Sequence, residues 1–166
     1  MFSRVFAAAR GLVYASAFVA IWWWVVVAVR PLDRGIPLAI PAWARYGGFV
    51  LVAFGGVLVL SCVLAFALVG RGTPAPFDAP REFVAVGPYR VVRNPMYVGA
   101  LAVIVGVGLI LRSPAALAVA VLFVVLAHLF AVFYEEPTLE RRFGESYRTY
   151  KESVNRWLPR ASGRSP

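Results

Sequence analysis

Two charged clusters sit at the edges of apolar runs in this chain of 166 residues. Arg93 and Asn94 stand in "RNP" at the head of one run, and Glu135 and Glu136 stand in "YEEP" at the foot of the next. Only "RSP", residues 112–114, joins the two runs, which is too short for anything but an antiparallel helical hairpin. Arg93 lies 19 residues before Arg112, and Glu135 lies 21 after Pro114. At about 1.5 Å of rise per residue the two clusters return to nearly one depth. Charges at the edge of a hydrocarbon layer cost up to roughly 2.5–3.5 kcal/mol each unless they are paired or hydrated. Two explanations stay open. One is a structural salt bridge with snorkelling side chains. The other is a polar pocket for a zwitterion, the carboxylates taking its ammonium and Arg93 its carboxylate.

The elements that must position these groups are apolar helices. The chain is 61% hydrophobic, has a mean hydropathy of +0.75, and carries only 15% charged residues. Four stretches, 11–29, 46–70, 94–111 and 113–134, hold no charge and run for 19, 25, 18 and 22 residues. About 20 residues of helix cross a bilayer core. The expectation is an all-α polytopic membrane protein with four transmembrane helices, folded as a single membrane-embedded domain over 1–166. The first run has bulky residues ("AIWWWVVVAV") and no small-residue cleavage site, so it reads as a retained span and not a signal peptide.

Charge sets the expected orientation. Thirteen of the 17 basic residues fall in the N-terminal segment, the 71–93 loop and the C-terminal tail, and four fall on the other side. The positive-inside rule then puts both termini in the cytoplasm, in the inner membrane if the cell is bacterial. A net charge of +9 arranged between apolar runs, not as a stripe on a polar face, argues against nucleic acid as a partner. The single cysteine, Cys62, excludes an internal disulfide and reads as a small packed hydrophobe. No His/Cys/Asp spacing suggests a metal.

Between the first two runs, "RPLDRGIPLAIPAWAR" has three prolines and cannot hold one continuous helix. "GRGTPAPFDAP", after Val69, is turn chemistry. Beyond Pro137, Leu139, Phe143, Tyr147, Tyr150, Val154 and Trp157 recur every three or four residues. That period predicts one amphipathic helix over 138–157, lying at the cytoplasmic interface. No repeat and no second soluble domain is visible.

"GPYRVVRNPMYVG", residues 87–99, followed by "YEEPTLERRFGESYRTYKESVNRWLP", residues 134–159, resembles the integral-membrane methyltransferases. That superfamily holds isoprenylcysteine carboxyl methyltransferases and phospholipid N-methyltransferases. The carboxyl branch's pattern falls here on Arg93, Pro95, Tyr97 and Gly99, then Glu135, Glu136, Leu139, Phe143, Gly144, Tyr147, Tyr150, Arg156, Trp157 and Pro159. Asn94 stands where that branch usually has histidine. "NPMY" and "YEEP" look like the phospholipid branch, and the tail after Leu139 looks like the carboxyl branch.

The resemblance, spanning 87–159, implies S-adenosylmethionine as methyl donor, S-adenosylhomocysteine as product, and a lipid-borne acceptor reached from the bilayer. It implies cofactor contacts from Arg93, Asn94, Tyr97, Gly99, Glu135, Glu136 and Tyr147, with Trp157 near the adenine. Gly70 and Gly72, in "GRGT", either cap that pocket or simply end the second helix. Catalytic roles fall to Glu135 and to Arg156, whose guanidinium is suited to hold an acceptor carboxylate. A carboxylate needs no base, whereas a phospholipid amine must lose a proton. With both glutamates engaged by the cofactor, the residues favour a carboxyl acceptor, with the phospholipid amine second.

His128, inside the fourth run, reads as an interhelical hydrogen-bonding group or a functional one. Gly106 and Gly108 read as close helix packing, and Trp43 and Tyr46 as an interfacial aromatic belt. A non-enzymatic assembly partner or transporter subunit is the competing class. Transporters concentrate polar groups near the midplane, and these runs have almost none there.

Overall fold

The computed structural model describes residues 2–70 and 83–160. Among them every regular element is helical: α1 (Phe2–Val29), α2 (Ala44–Ala65), α3 (Pro95–Leu111), α4 (Pro114–Phe130), α5 (Glu136–Phe143) and α6 (Glu145–Ser153). Three helical stretches are long and apolar enough to cross a membrane: Ala9–Gly35, Ala44–Gly70 and Pro114–Phe143. The apolar helix Pro95–Leu111 is shorter.

α2 and α3 pack as an antiparallel pair whose contact is set by glycine. A Cβ on Gly48 would lie 2.6 Å from the Gly106 carbonyl oxygen, and one on Gly55 would strike that of Gly99. Both pairs are separated by seven residues along their helices, two turns, so they fall on one face. Bare backbone there lets the helices approach and gain dispersion contacts that lipid does not replace. The expectation that Gly106 serves helix packing holds, and Gly108 does the same against Leu117 of α4.

α3 turns into α4 at Arg112, which takes the left-handed conformation with φ 53°. Ser113 then caps α4, its Oγ accepting from the Ala116 N–H at 3.1 Å. That Oγ donates to Asp33 Oδ1 at 2.9 Å, and the Ala115 N–H donates to the same oxygen at 2.9 Å. Arg112 Nε donates to the Ile40 carbonyl at 2.8 Å. The turn after α1 is thereby tied to the hairpin. Higher along α1, Val26 is fully buried against α3 and α4, and Trp22 meets Phe123 edge-on at 4.9 Å.

The amphipathic stretch differs from the single helix expected over 138–157. α4 continues through a π-helical turn, Ala131–Glu135, directly into α5. Pro137 does not stop it. Proline lacks an N–H and crowds the carbonyl four residues back, and the wider π turn just before it relieves that conflict. The helix breaks instead at Gly144, where φ is +53°, a conformation free of penalty only for glycine. After α6, Val154 is extended (φ −124°, ψ 128°), so the chain at Val154–Trp157 is a strap and not a helical face.

Candidate active site at one end of the bundle

Arg93 and Asn94 reach their positions because a proline begins α3 directly after them and keeps Asn94 out of the helical region, at φ −122° and ψ 54°. The strap pairs with that approach through the backbone. The Arg93 N–H donates to the Asn155 carbonyl at 2.8 Å, and the Asn94 N–H donates to that of Arg156 at 3.2 Å. Glu135 and Glu136 arrive from the π turn at the end of α4. The two clusters do face one another, as equal depth required.

Glu136 is the centre of the charge network. Arg156 grips it with both prongs, Nε to Oε1 at 2.6 Å and Nη2 to Oε2 at 2.9 Å. Arg93 Nη1 lies 3.1 Å from the same Oε1 as an ion pair. This hydrogen bond to Glu136 pushes the Arg156 pKa up, so its charge is permanent. Arg156, expected to hold an acceptor carboxylate, has its fork committed to Glu136 instead.

Glu135 is differently placed. Its Oε2 accepts from the Tyr97 hydroxyl at 3.1 Å, and among the described residues no cation pairs with it. Arg93 Nε and Asn94 Nδ2 are buried with no hydrogen-bond partner, while Arg93 Nη1 has only its ion pair with Glu136. Unmatched buried donors carry a desolvation cost of about 1–3 kcal/mol each, so they fit a ligand that brings acceptors.

These groups line a cavity of about 90 Å³, bordered also by Phe66, Phe83, Tyr89, Phe143, Tyr147 and Tyr150. Phe83 sits edge-on to Tyr147 at 5.8 Å and to Tyr150 at 5.1 Å. The Tyr150 hydroxyl donates to the Tyr89 carbonyl at 2.6 Å, tying α6 to the turn before α3. Burial, helped by the nearby Glu136 charge, pushes the Tyr147 phenol up to about 12, and burial also raises Tyr150. Both remain hydroxyl donors at neutral pH and neither can serve as a base.

Arg93, Asn94, Tyr97, Glu135, Glu136 and Tyr147 therefore come together as expected. Gly99 does not join them. A Cβ there would sit 2.9 Å from Val59 Cγ2 and 3.0 Å from the Gly55 carbonyl, so Gly99 serves the α2–α3 contact. Gly70 is buried at the end of the π turn Phe66–Gly70, where Phe66, not Gly70, lines the cavity. Gly72 lies outside the described residues. Trp157 is beside Tyr97, ring centroids 6.2 Å apart, and its indole N–H donates to His128. His128 thus bonds to the strap, not to a neighbouring span. The aromatic lining from Phe66, Phe83 and Tyr89 escaped the sequence reading, because isolated aromatics near an interface carry no spacing signal.

The phospholipid methyltransferase family model matches residues 43–146. The chain is 37% identical over 91 residues to human phosphatidylethanolamine N-methyltransferase, covering 54% of this chain and 45% of that one. It is 26% identical over 102 residues to phosphatidyl-N-methylethanolamine N-methyltransferase of Neurospora crassa, covering 61% and 47%. The chain spans about half the length of these two relatives. Its fold is similar to a eukaryotic intramembrane Ras methyltransferase, isoprenylcysteine carboxyl methyltransferase, with a TM-score of 0.58 at 22% identity over 88% of this chain and 52% of that one. The family match runs from α2 into α6 and takes in both charged clusters, and the chain belongs to the phospholipid methyltransferase family.

Proposed function

We propose that this protein transfers a methyl group from S-adenosylmethionine to a lipid-borne acceptor at the cytoplasmic face of a membrane. The observation that carries the reading is the cavity's split polarity. Unmatched donors on Arg93 and Asn94 face it from one side, and a carboxylate free of cations, Glu135, faces it from the other. The donors suit the carboxylate end of the cofactor, and Glu135 suits the cationic amine of an acceptor. The cavity's volume suits that end of the cofactor, and aromatic faces adjoin it for the remainder. The whole molecule needs several times more room, on the order of 300 Å³, so binding widens the cavity.

When bound, the cofactor would supply an already activated methyl group on its sulfonium. Arg93 and Asn94 would hold its carboxylate. Glu136, neutralised by two arginines, keeps Arg93 aimed into the cavity. Glu135, steadied by the Tyr97 hydroxyl, is the group available to attract a cationic acceptor and to take its proton. The apolar surroundings exclude water from the transfer.

Because Arg156 is engaged by Glu136 and Arg93 would hold the cofactor, no other arginine lines the cavity to hold an acceptor carboxylate. The charge that remains is negative. We therefore favour a phospholipid amine, with the carboxyl acceptor second on the likeness of the tail after Leu139. Four membrane helices with both termini cytoplasmic complete the reading, supported by the basic residues gathered at the cavity's end. Methyl-labelled cofactor supplied with membranes tests it. Label that resists mild alkali and travels with an ethanolamine phospholipid is expected. Alkali-released methanol would establish the carboxyl acceptor, and no transfer to any lipid would end the proposal.

A further inference from the structure

His128 is an exposed polar side chain on a membrane-length helix, and it does not line the cavity. Its Nδ1 accepts from the Trp157 indole Nε1–H at 3.2 Å. An indole nitrogen can only donate, so the imidazole carries its own proton on Nε2. That N–H lies on the far side of the ring from Trp157. A polar donor held in such a place is costly unless something uses it.

Its position says what. At about 100° per residue, His128 and Phe130 stand roughly 160° apart round α4. They flank the buried seam of Phe123, Ala127 and Ala131 on opposite sides. Phe130 lines the cavity, so His128 faces the other flank. Tyr97 joins the two, with its hydroxyl on Glu135 and its ring 6.2 Å from Trp157, which is 6.1 Å from His128. His128 also lies seven residues before Glu135, about 10 Å deeper along the helix. The polar layer of one leaflet is about 5–8 Å thick. A lipid whose headgroup reaches Tyr97 and Glu135 thus sets its phosphate and glycerol ester oxygens close to the depth of His128.

We propose that His128, oriented by Trp157, anchors an oxygen of the acceptor lipid, phosphate or ester carbonyl, on the side of Tyr97 opposite the cofactor cavity. This rests on the methyl-transfer reading above. His128 is the binding residue and Trp157 positions it. Donor and acceptor then meet from opposite sides of Tyr97, which leaves each its own route of entry.

The test uses the full chain in nonionic detergent, titrated with dioleoyl phosphatidylethanolamine. Bound lipid and methyl transfer are measured separately. His128→Phe weakens lipid binding and raises its KM about fivefold, the weight of one hydrogen bond. Affinity for S-adenosylhomocysteine is unaffected. His128→Gln, which keeps an N–H donor, recovers most of the loss. Trp157→Phe raises the lipid KM about twofold with kcat held, a split that general loosening would not give. A dialkyl ether analogue identifies the oxygen: a His128→Phe penalty that vanishes with it assigns the carbonyl, and one that persists assigns the phosphate. Equal lipid affinity and equal KM in the wild type and His128→Phe overturn the proposal. If lipid binding depends on His128 but no methyl is transferred, the anchor stands and the methyl-transfer reading falls.

Discussion

The bundle has polar groups at both ends, and the two sets behave oppositely. At one end Asp33 takes the Ser113 hydroxyl and the Ala115 N–H, while Arg112 donates to the Ile40 carbonyl. Each of these groups serves to hold two turns of chain together. At the other end the charges are more numerous and two arginines converge on Glu136, yet Arg93 and Asn94 still present buried donors with no aligned acceptor. Both ends look polar in composition. What separates a fastening from a site is whether the interactions close among themselves.

The sharpest way to break that contrast is topological, since the outcome is all or none. A cysteine introduced at Gly35 should react with an impermeant reagent added outside intact cells, and one at Glu145 should not. Native Cys62 is fully buried and adds no background. The reverse pattern would put the open end outside, away from a cytosolic donor. Next in size, Glu136→Gln leaves two guanidiniums uncompensated and should weaken S-adenosylhomocysteine binding roughly 100-fold. Calorimetry on protein with unchanged helix content checks it, and near-normal affinity would remove Glu136 from the site.

At the closed end, Asp33→Ala should lower stability by about 1–2 kcal/mol through loss of two hydrogen bonds at the start of α4. Cofactor affinity should move less than twofold, which separates the two ends in a single variant. A large loss of affinity would show that they are coupled. Gly99→Ala should cost about 1–3 kcal/mol as its new methyl crowds Val59 and Gly55, again with little effect on binding. Denaturant melts of both variants measure these differences, and an unshifted melt for Gly99→Ala would mean that the helices part without cost.

Much of this was legible in sequence. The uncharged runs predict the helices, and "RSP" forces the hairpin that brings Arg93 opposite Glu136. Three features were not. The α2–α3 register depends on Gly48 and Gly55 meeting Gly106 and Gly99, and each pair alone is an ordinary pair of glycines. The strap pairs through backbone groups of Asn155 and Arg156, which every residue type possesses. Periodicity carried the expected helix straight across Gly144, because side-chain spacing does not register a backbone dihedral. The partner of Arg156 is likewise set by the strap's path and not by its own type.

The knot of Asp33 and Ser113 has an effect at a distance. It fixes where α4 starts, and α4 then runs unbroken in helical form to Glu135, 21 residues beyond Pro114. That is about 30 Å of helix, close to the thickness of a bilayer core. The helix is in effect a ruler pinned at the far leaflet, with the glutamates at its measuring end. A thicker membrane draws Glu135 down toward the acyl chains, and a thinner one lifts it clear of the headgroups. The working height of the site is therefore gauged by the bilayer itself.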